Sequence, residues 1–196
     1  MDIESILQYH VLRHYGNPHE HEVCTCGKGK RLVQCRYDGC FQYPTSCSDC
    51  FISAHRNNPL HWALKWDTEK QFWVQHDISE LSATFAIQLG HVFDNEASPC
   101  SGSGSSIPFI ITHTNGVHST RLRFCGCLSA EDKVPQLMAA QLFPGTPSEP
   151  ESAFTFAVLK HFHMHNLQSK CGAFDYMLSI RRLTDNVFTS KVPVSF

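Results

Sequence analysis

CTCGKGKRLVQCRYDGCFQYPTSCSDCFISAHRNNPLH, residues 24–61, decides the fold. Its donors run Cys24, Cys26, Cys35, Cys40, Cys47, Cys50, His55 and His61. Zinc binds thiolate and imidazole in fours, and short Cys/His spacings are how a chain presents them. Eight donors make two closed tetrahedral sites. A segment this short cannot bury a core of its own, so two metals replace one. Alternating use of the pairs gives a cross-brace: Cys24, Cys26, Cys47 and Cys50 in one site, Cys35, Cys40, His55 and His61 in the other. Consecutive use of the same residues is the competing arrangement. Buried, inert thiols are the bland reading, and eight donors at these spacings argue against it. His19 and His21, just upstream, read as solvated loop residues.

A second, looser cluster contains Cys100, Cys125 and Cys127. Asn115-Gly116 sits between the β-rich runs 107–114 and 117–124, and Asn-Gly is the preferred pair for a two-residue type I′ turn. The expected register puts Thr114 opposite Val117, His113 opposite His118, Ile111 opposite Thr120 and Phe109 opposite Leu122. One face is then apolar (Phe109, Ile111, Leu122, Phe124), and the other is wet, with Arg121 and Arg123. Cys125 ends up opposite the start of the first strand, within reach of Cys100 across the Ser/Gly loop 98–106. His91 and His118 are the candidate fourth ligands. A strand rising ~3.3 Å per residue puts His118 roughly 20 Å from Cys125, which favours His91. The third site is therefore His91, Cys100, Cys125 and Cys127. Cys171 reads as a buried thiol.

Helical spacing runs from residue 2 to 15 through Ile3, Ile6, Leu7, His10, Val11 and His14, and Gly16 ends it. Trp62, Leu64 and Trp66 alternate before Asp67-Thr68-Glu69, then Phe72 and Val74 follow, which predicts a strand pair. The aromatic group Trp62, Trp66, Phe72 and Trp73 is either a binding patch or core, and core is the commoner fate. Pro135 opens a helix through Gln141, and Phe143-Pro144-Gly145-Thr146-Pro147 breaks it. A second helix is expected from Ser152 to about Leu167, with Phe154, Val158, His161, Phe162 and His165 on one stripe. Phe174, Met177, Leu178 and Arg181 mark a third. The class is α+β: a zinc-stapled cross-brace module, then a β-hairpin sheet, then a helical region. The expected divisions are 1–22, 23–66, 67–128 and 129–196.

The bulk numbers narrow the function. The chain has 10 cysteines, 42% hydrophobic residues and a formal charge of -2. Bound thiolates make the charge more negative. That excludes a polycation that coats DNA, and leaves only a local basic patch for nucleic acid. Residues 1–10 lack the basic-then-apolar pattern of a signal peptide. No apolar run approaches the ~20 residues of a membrane span. Dense Cys/His in such a chain reads as metal-binding inside the cell; disulfides would belong outside it.

Catalysis finds little support. His161, His163 and His165 invite a metal site, but only His161 and His165 share a helical face, and no carboxylate is in register. Pro99-Cys100 begins a zinc-deaminase pattern, and Ser103 stands where its second cysteine belongs. The zinc sets fill with four protein ligands and leave no open position. Two binding functions remain. The first is DNA or chromatin, met by Lys28, Lys30, Arg31 and Arg36 near the first knuckle and by Arg121 and Arg123 on the hairpin. The second is a protein or peptide such as a histone tail, or self-association.

Several segments occur in a recognisable order: the leading Cys cluster, His55-Arg56-Asn57-Asn58-Pro59-Leu60-His61, Leu89-Gly90-His91, Cys100, Thr114-Asn115-Gly116-Val117-His118, Phe124-Cys125-Gly126-Cys127, Phe143-Pro144-Gly145-Thr146-Pro147 and Leu183-Thr184-Asp185-Asn186. Over about residues 20–190 the chain resembles the CxC-type cysteine cluster associated with KDZ (Kyakuja–Dileera–Zisupton) transposases of fungi. The first half is also similar to B-box and ZZ-type cross-brace fingers, which mostly bind proteins. The resemblance implies a non-catalytic, zinc-chelating part of a transposase, nuclear, acting on DNA or chromatin. The nuclease domain would lie elsewhere, and any homo-oligomer would form through the full-length protein.

Overall fold

Three short antiparallel strands carry the first half of the chain: β1 (Val33–Cys35), β2 (Ala63–Asp67) and β3 (Phe72–His76), in that order. In this computed structural model residues 2–36, 40, 43–90, 104–127 and 132–193 are described, with only the backbone for 10–14. Alternation of Trp62, Leu64 and Trp66 does set up the β2–β3 hairpin, with Trp66 opposite Trp73. Its turn is tied by the Asp67 carboxylate, which accepts from the backbone N–H of Glu69 and Lys70 at 3.0 Å each. Helix α2 (Ser48–Ala54) drops Phe51 onto Val33, Ala63 and Ile78, and Ile78 opens the one-turn helix α3 (Ile78–Leu81).

Helix α1 (Ile3–Tyr15) precedes this sheet in the chain, as the spacing predicts. The segment after it is strapped to the sheet. Trp73 donates from Nε1 to the Gly16 carbonyl at 3.3 Å, Asn17 donates to the Arg31 carbonyl at 3.0 Å, and Trp66 donates to Glu20 at 2.6 Å. Trp62 and Trp66 are buried, Trp73 is half-buried and Phe72 is exposed, so half of the aromatic group is core.

The second sheet has five strands, ordered β4-β6-β5-β8-β7. They are β4 (Ile87–Gln88), β5 (Ile107–His113), β6 (Gly116–Arg123), β7 (Leu142–Pro144) and β8 (Ser152–Thr155). The β4–β6 and β5–β8 pairs are parallel, the rest antiparallel. Helix α4 (Lys133–Ala139) leads into β7. Helices α5 (Phe156–Ser169) and α6 (Ala173–Thr184) and a short 3-10 turn (Thr189–Lys191) complete the fold. Two compact units result, Met1–Phe85 and Ala86–Phe196. The expected break at 66/67 falls inside the β2–β3 hairpin, whose strand pairing keeps that stretch together.

Three expectations are corrected. The β5–β6 hairpin turns one residue early: His113 pairs with Gly116, Ile111 with His118 and Phe109 with Thr120. A type I′ turn needs positive φ at both central residues. Here the left-handed region is occupied instead by Gly116, at φ 145. The Asn115 side-chain oxygen accepts from His118 Nε2 at 2.9 Å. Because both strands shift together, the faces are unchanged, and Phe109, Ile111 and Leu122 are buried as expected.

The second correction concerns the opposite face, which is not simply wet. Val117 on that face packs with Val158, Tyr176 and Ile180 from α5 and α6, and Arg121 and Arg123 are half-buried. The third concerns Ser152–Thr155, which is strand β8. Helix α5 begins only after Thr155, whose hydroxyl accepts from the Val158 N–H at 3.2 Å as an N-cap. On α6 the buried positions are Tyr176 and Ile180, and Phe174 faces outward.

Candidate metal centres

Alternation of the four donor pairs along the chain is what the geometry displays. Cys24, Cys26, Cys47 and Cys50 converge in one group, and Cys35, Cys40, His55 and His61 in another. Within each group the donor atoms lie within 4.8 Å of one another. The consecutive arrangement is excluded, because the members of its sets fall in different groups.

The first group is built by a tight loop and a helix start. Val23 bridges to Lys30. The Cys24 N–H donates to the Gly29 carbonyl at 2.7 Å, and the Gly27 N–H to the Cys24 carbonyl at 2.8 Å. Gly27 takes φ 74, which a side chain would strain. A Cβ at Gly29 would stand 3.3 Å from Cys47 Cβ, so the knuckle closes tightly against the start of α2 there. Cys47 is the N-cap of α2 and Cys50 lies in its first turn.

The Cys26 and Cys47 sulfurs are 3.5 Å apart. Zinc–sulfur bonds of ~2.3 Å at tetrahedral angles separate two sulfurs by about 3.8 Å, so the edge fits. The backbone N–H groups of Cys26 and Cys47 draw the Cys24 thiol down to about 6. The neighbouring sulfurs, Cys26 foremost, push Cys50 up to about 12. Burial raises Cys47 as well. Four sulfurs this close cannot all ionise without a cation among them. A dication is the chemical completion of the set.

In the second group, Cys35 ends β1, His55 is the C-cap of α2 and His61 stands just before β2. Cys40 Sγ is 3.3 Å from His55 Nε2 and 3.2 Å from His61 Nδ1, and Cys35 Sγ is 3.8 Å from His61 Nδ1. His55 Nδ1 donates to the Phe51 carbonyl at 2.9 Å. A carbonyl only accepts, so the ring proton sits on Nδ1 and the Nε2 lone pair is free to face the sulfurs. A metal-ligating histidine held this way keeps its tautomer and ring direction. Phe51 stacks on the ring at 4.0 Å and Tyr43 meets its edge at 4.8 Å. Burial holds His55 below its ordinary pKa, hence neutral and ready to ligate. Sequence reading missed the Phe51 carbonyl; its only signal was a histidine four residues on, in the last turn of a short helix.

Of the third expected site, His91 and Cys100 lie outside the described residues, as does most of the Ser/Gly loop. Cys125 is buried and Cys127 half-buried. The Gln136 side chain brackets Cys125, accepting from its N–H at 2.9 Å and donating to its carbonyl at 3.0 Å. Gly90, at φ 96, presses so close that a Cβ would meet Cys125 Cβ at 2.4 Å. His118 is buried beside the turn, bonded to Asn115.

The six cationic candidates divide. Arg31 donates to the Thr45 carbonyl and Glu22, and Arg36 to Gln75, so both hold the fold together. Lys28 and Lys30 are exposed on the knuckle. Arg121 and Arg123 share one face of β6. The His161/His165 pair leans on Tyr176, with His161 Nδ1 2.7 Å from its hydroxyl, while His163 is exposed. Cys171 is half-buried against the helical core rather than fully buried. His19 pairs with Glu22, and His21 is exposed beside Glu20. Among the described residues, no helix is long and apolar enough to cross a membrane.

An α+β chain with two four-donor Cys/His groups, each able to hold a metal ion, is a cysteine-cluster protein. Residues 81–188 match the CxC2-like cysteine cluster associated with KDZ transposases, and the chain belongs to that family. The matched stretch is narrower than the 20–190 expected. It covers the five-stranded unit with Cys100, Cys125 and Cys127, and it begins after the Cys24–His61 groups. No curated protein and no solved structure matches the chain.

Proposed function

We propose that this chain is a non-catalytic, zinc-stapled recognition module that directs a transposase-type protein to DNA or chromatin. The observation that carries the reading is that each four-donor group is closed by protein side chains alone. A tetrahedron of four thiolates, or of two thiolates and two imidazoles, is a structural zinc set and has no open position for water or substrate. Zinc therefore organises a surface, and chemistry on DNA belongs to another part of the transposase. A third zinc at His91, Cys100, Cys125 and Cys127 would complete the matched family's cysteine cluster in the second unit. A nuclear protein of a fungal transposon is the setting that fits.

The contacts are Lys28 and Lys30 on the knuckle, joined by Arg121 and Arg123. Arg31 and Arg36 leave the list, because their bonds are internal. A protein partner is the second reading. It is favoured by exposed apolar residues in the second unit, Met164, Leu167, Phe174, Val187 and Phe188.

Fluorescence anisotropy of the zinc-loaded chain with labelled duplex DNA, at low and moderate salt, tests the first reading. Binding should weaken steeply with salt, and Lys28→Ala with Lys30→Ala should flatten that dependence. No binding at low salt would overturn it, and histone-tail peptides would then be tried in the same format.

A further inference from the structure

Helix α1 lies outside every role described so far. It runs thirteen residues, and in its first half Ile3 at 75% and Leu7 at 60% exposure face solvent, with Ile6 exposed beside them. A helix of this length is marginal alone in water, and most helical stability comes from packing an apolar face. Such a face calls for a partner.

The charge pattern says which partner. Asp2 and Glu4 stand at the start of the helix and Arg13 near its end, with His10 and His14 on the same half as Arg13. Two copies side by side and parallel would set like charge against like at both ends. Two copies antiparallel, about an axis between Gln8 and Tyr9, set the acidic end of each against the basic end of the other. In that alignment Ile6 lies level with Val11 and Leu7 level with His10. Glu4 of one copy lies level with Arg13 of the other. The apolar stripe and the charges are satisfied by one register, and the contact is the same patch on both copies, as a two-fold interface requires.

We infer that α1 is a self-association helix, which pairs antiparallel with α1 of a second copy of this chain. This goes beyond the targeting reading and is independent of it. A dimer would place two zinc-stapled units in one particle, able to engage two sites at once.

Sedimentation equilibrium of the full, zinc-loaded chain tests it. The mass should move from 22.2 kDa toward twice that value as concentration rises. Ile6→Asp with Leu7→Asp, at exposed positions, should restore the monomer with zinc content unchanged. Glu4→Lys alone and Arg13→Glu alone should each weaken association by about tenfold, and an equimolar mixture of the two should recover it. A parallel pair would be indifferent to Arg13→Glu alone. A monomer at every concentration, or a dimer that survives Ile6→Asp with Leu7→Asp, overturns the inference. DNA binding by the monomeric variant, measured separately, tells its failure from that of the targeting reading.

Discussion

The two units solve the same problem with different materials. The first, Met1–Phe85, has a three-stranded sheet and a core cluster of Val33, Cys35, Phe51, Ala63 and Ile78, with Trp62 and Trp66 buried besides. One of those five is itself a donor. The second, Ala86–Phe196, has a five-stranded sheet buried on one face by Phe109, Ile111 and Leu122 and covered on the other by α5 and α6. A sheet closed on both faces stands by burial, whereas the smaller unit carries two four-donor groups that could hold metal ions. Small domains bury too little apolar area to be secure without staples. The lesson is that cysteine density and core size trade against each other within one chain.

Metal removal should break the comparison open. Structural zinc contributes apparent free energies of about 10–16 kcal/mol in small fingers. Cys47→Ser, or a strong chelator, should unfold the first unit and leave the second standing. Heteronuclear NMR of the labelled chain would show it: resonances of β1–β3 collapse while those of β5 and β6 keep their dispersion. Near-normal stability and zinc content in Cys47→Ser would sink the cross-brace.

The converse variant acts on the second unit. Phe109 is 2% exposed, and Phe→Ala in a core costs about 3–5 kcal/mol. Phe109→Ala should lower the melting of the second unit while the Cys24–His61 zinc content stays constant, as read by atomic absorption on the purified chain.

Acid sharpens the contrast further. In the first group Cys50 and Cys47 sit above the ordinary thiol value, so they are protonated at neutral pH until metal arrives. Loading must release protons, and affinity must fall as pH falls. His55 acts in the same direction. Its folded pKa lies below the ordinary 6.5, so the unfolded chain binds the proton first. The stability it permits is present above that value and declines as pH drops below it. Zinc titrations in two buffers of different ionisation enthalpy would count the protons; no release would contradict the cluster's geometry.

The smallest effect is expected at Arg123. Arg123 is half-buried on β6 and holds the sheet through its backbone carbonyl, which accepts from the Leu89 N–H, so Arg123→Ala should change stability by no more than about 0.5 kcal/mol in a thermal melt. Its effect should appear, if the targeting reading holds, in the salt dependence of DNA binding.

What could be read from residues alone divides along the same line. The donor set and its alternation were legible because ligand spacing is local and zinc's demand for four is strict. Helices α1, α4 and α6 were legible from period and punctuation. The β8 segment Ser152–Thr155 was not. It is a strand only because it lies parallel to β5, some forty residues away, and nothing within Ser-Ala-Phe-Thr announces that partner. The parallel β4, paired with distant β6, escaped for the same reason, and the short β7 escaped because its antiparallel partner is β8 itself. Asn115-Gly116 marked the hairpin correctly but misplaced its turn by one residue, since the buried His118 claims the Asn115 side chain and Gly116 alone takes the left-handed region. His91 and Cys100 stay expectations from spacing.

Helix α2 supplies Cys47 as its N-cap, Cys50 from its first turn and His55 as its C-cap, eight residues after Cys47. One rigid rod, about 12 Å from first donor to last at ~1.5 Å per residue, thus belongs to both metal sites. Ordering it for the first ion prepays the conformational cost for the second. The two ions should therefore load as a single cooperative event, with the half-loaded chain a minor species, so that the available zinc level would act on this unit as a threshold and not as a dial.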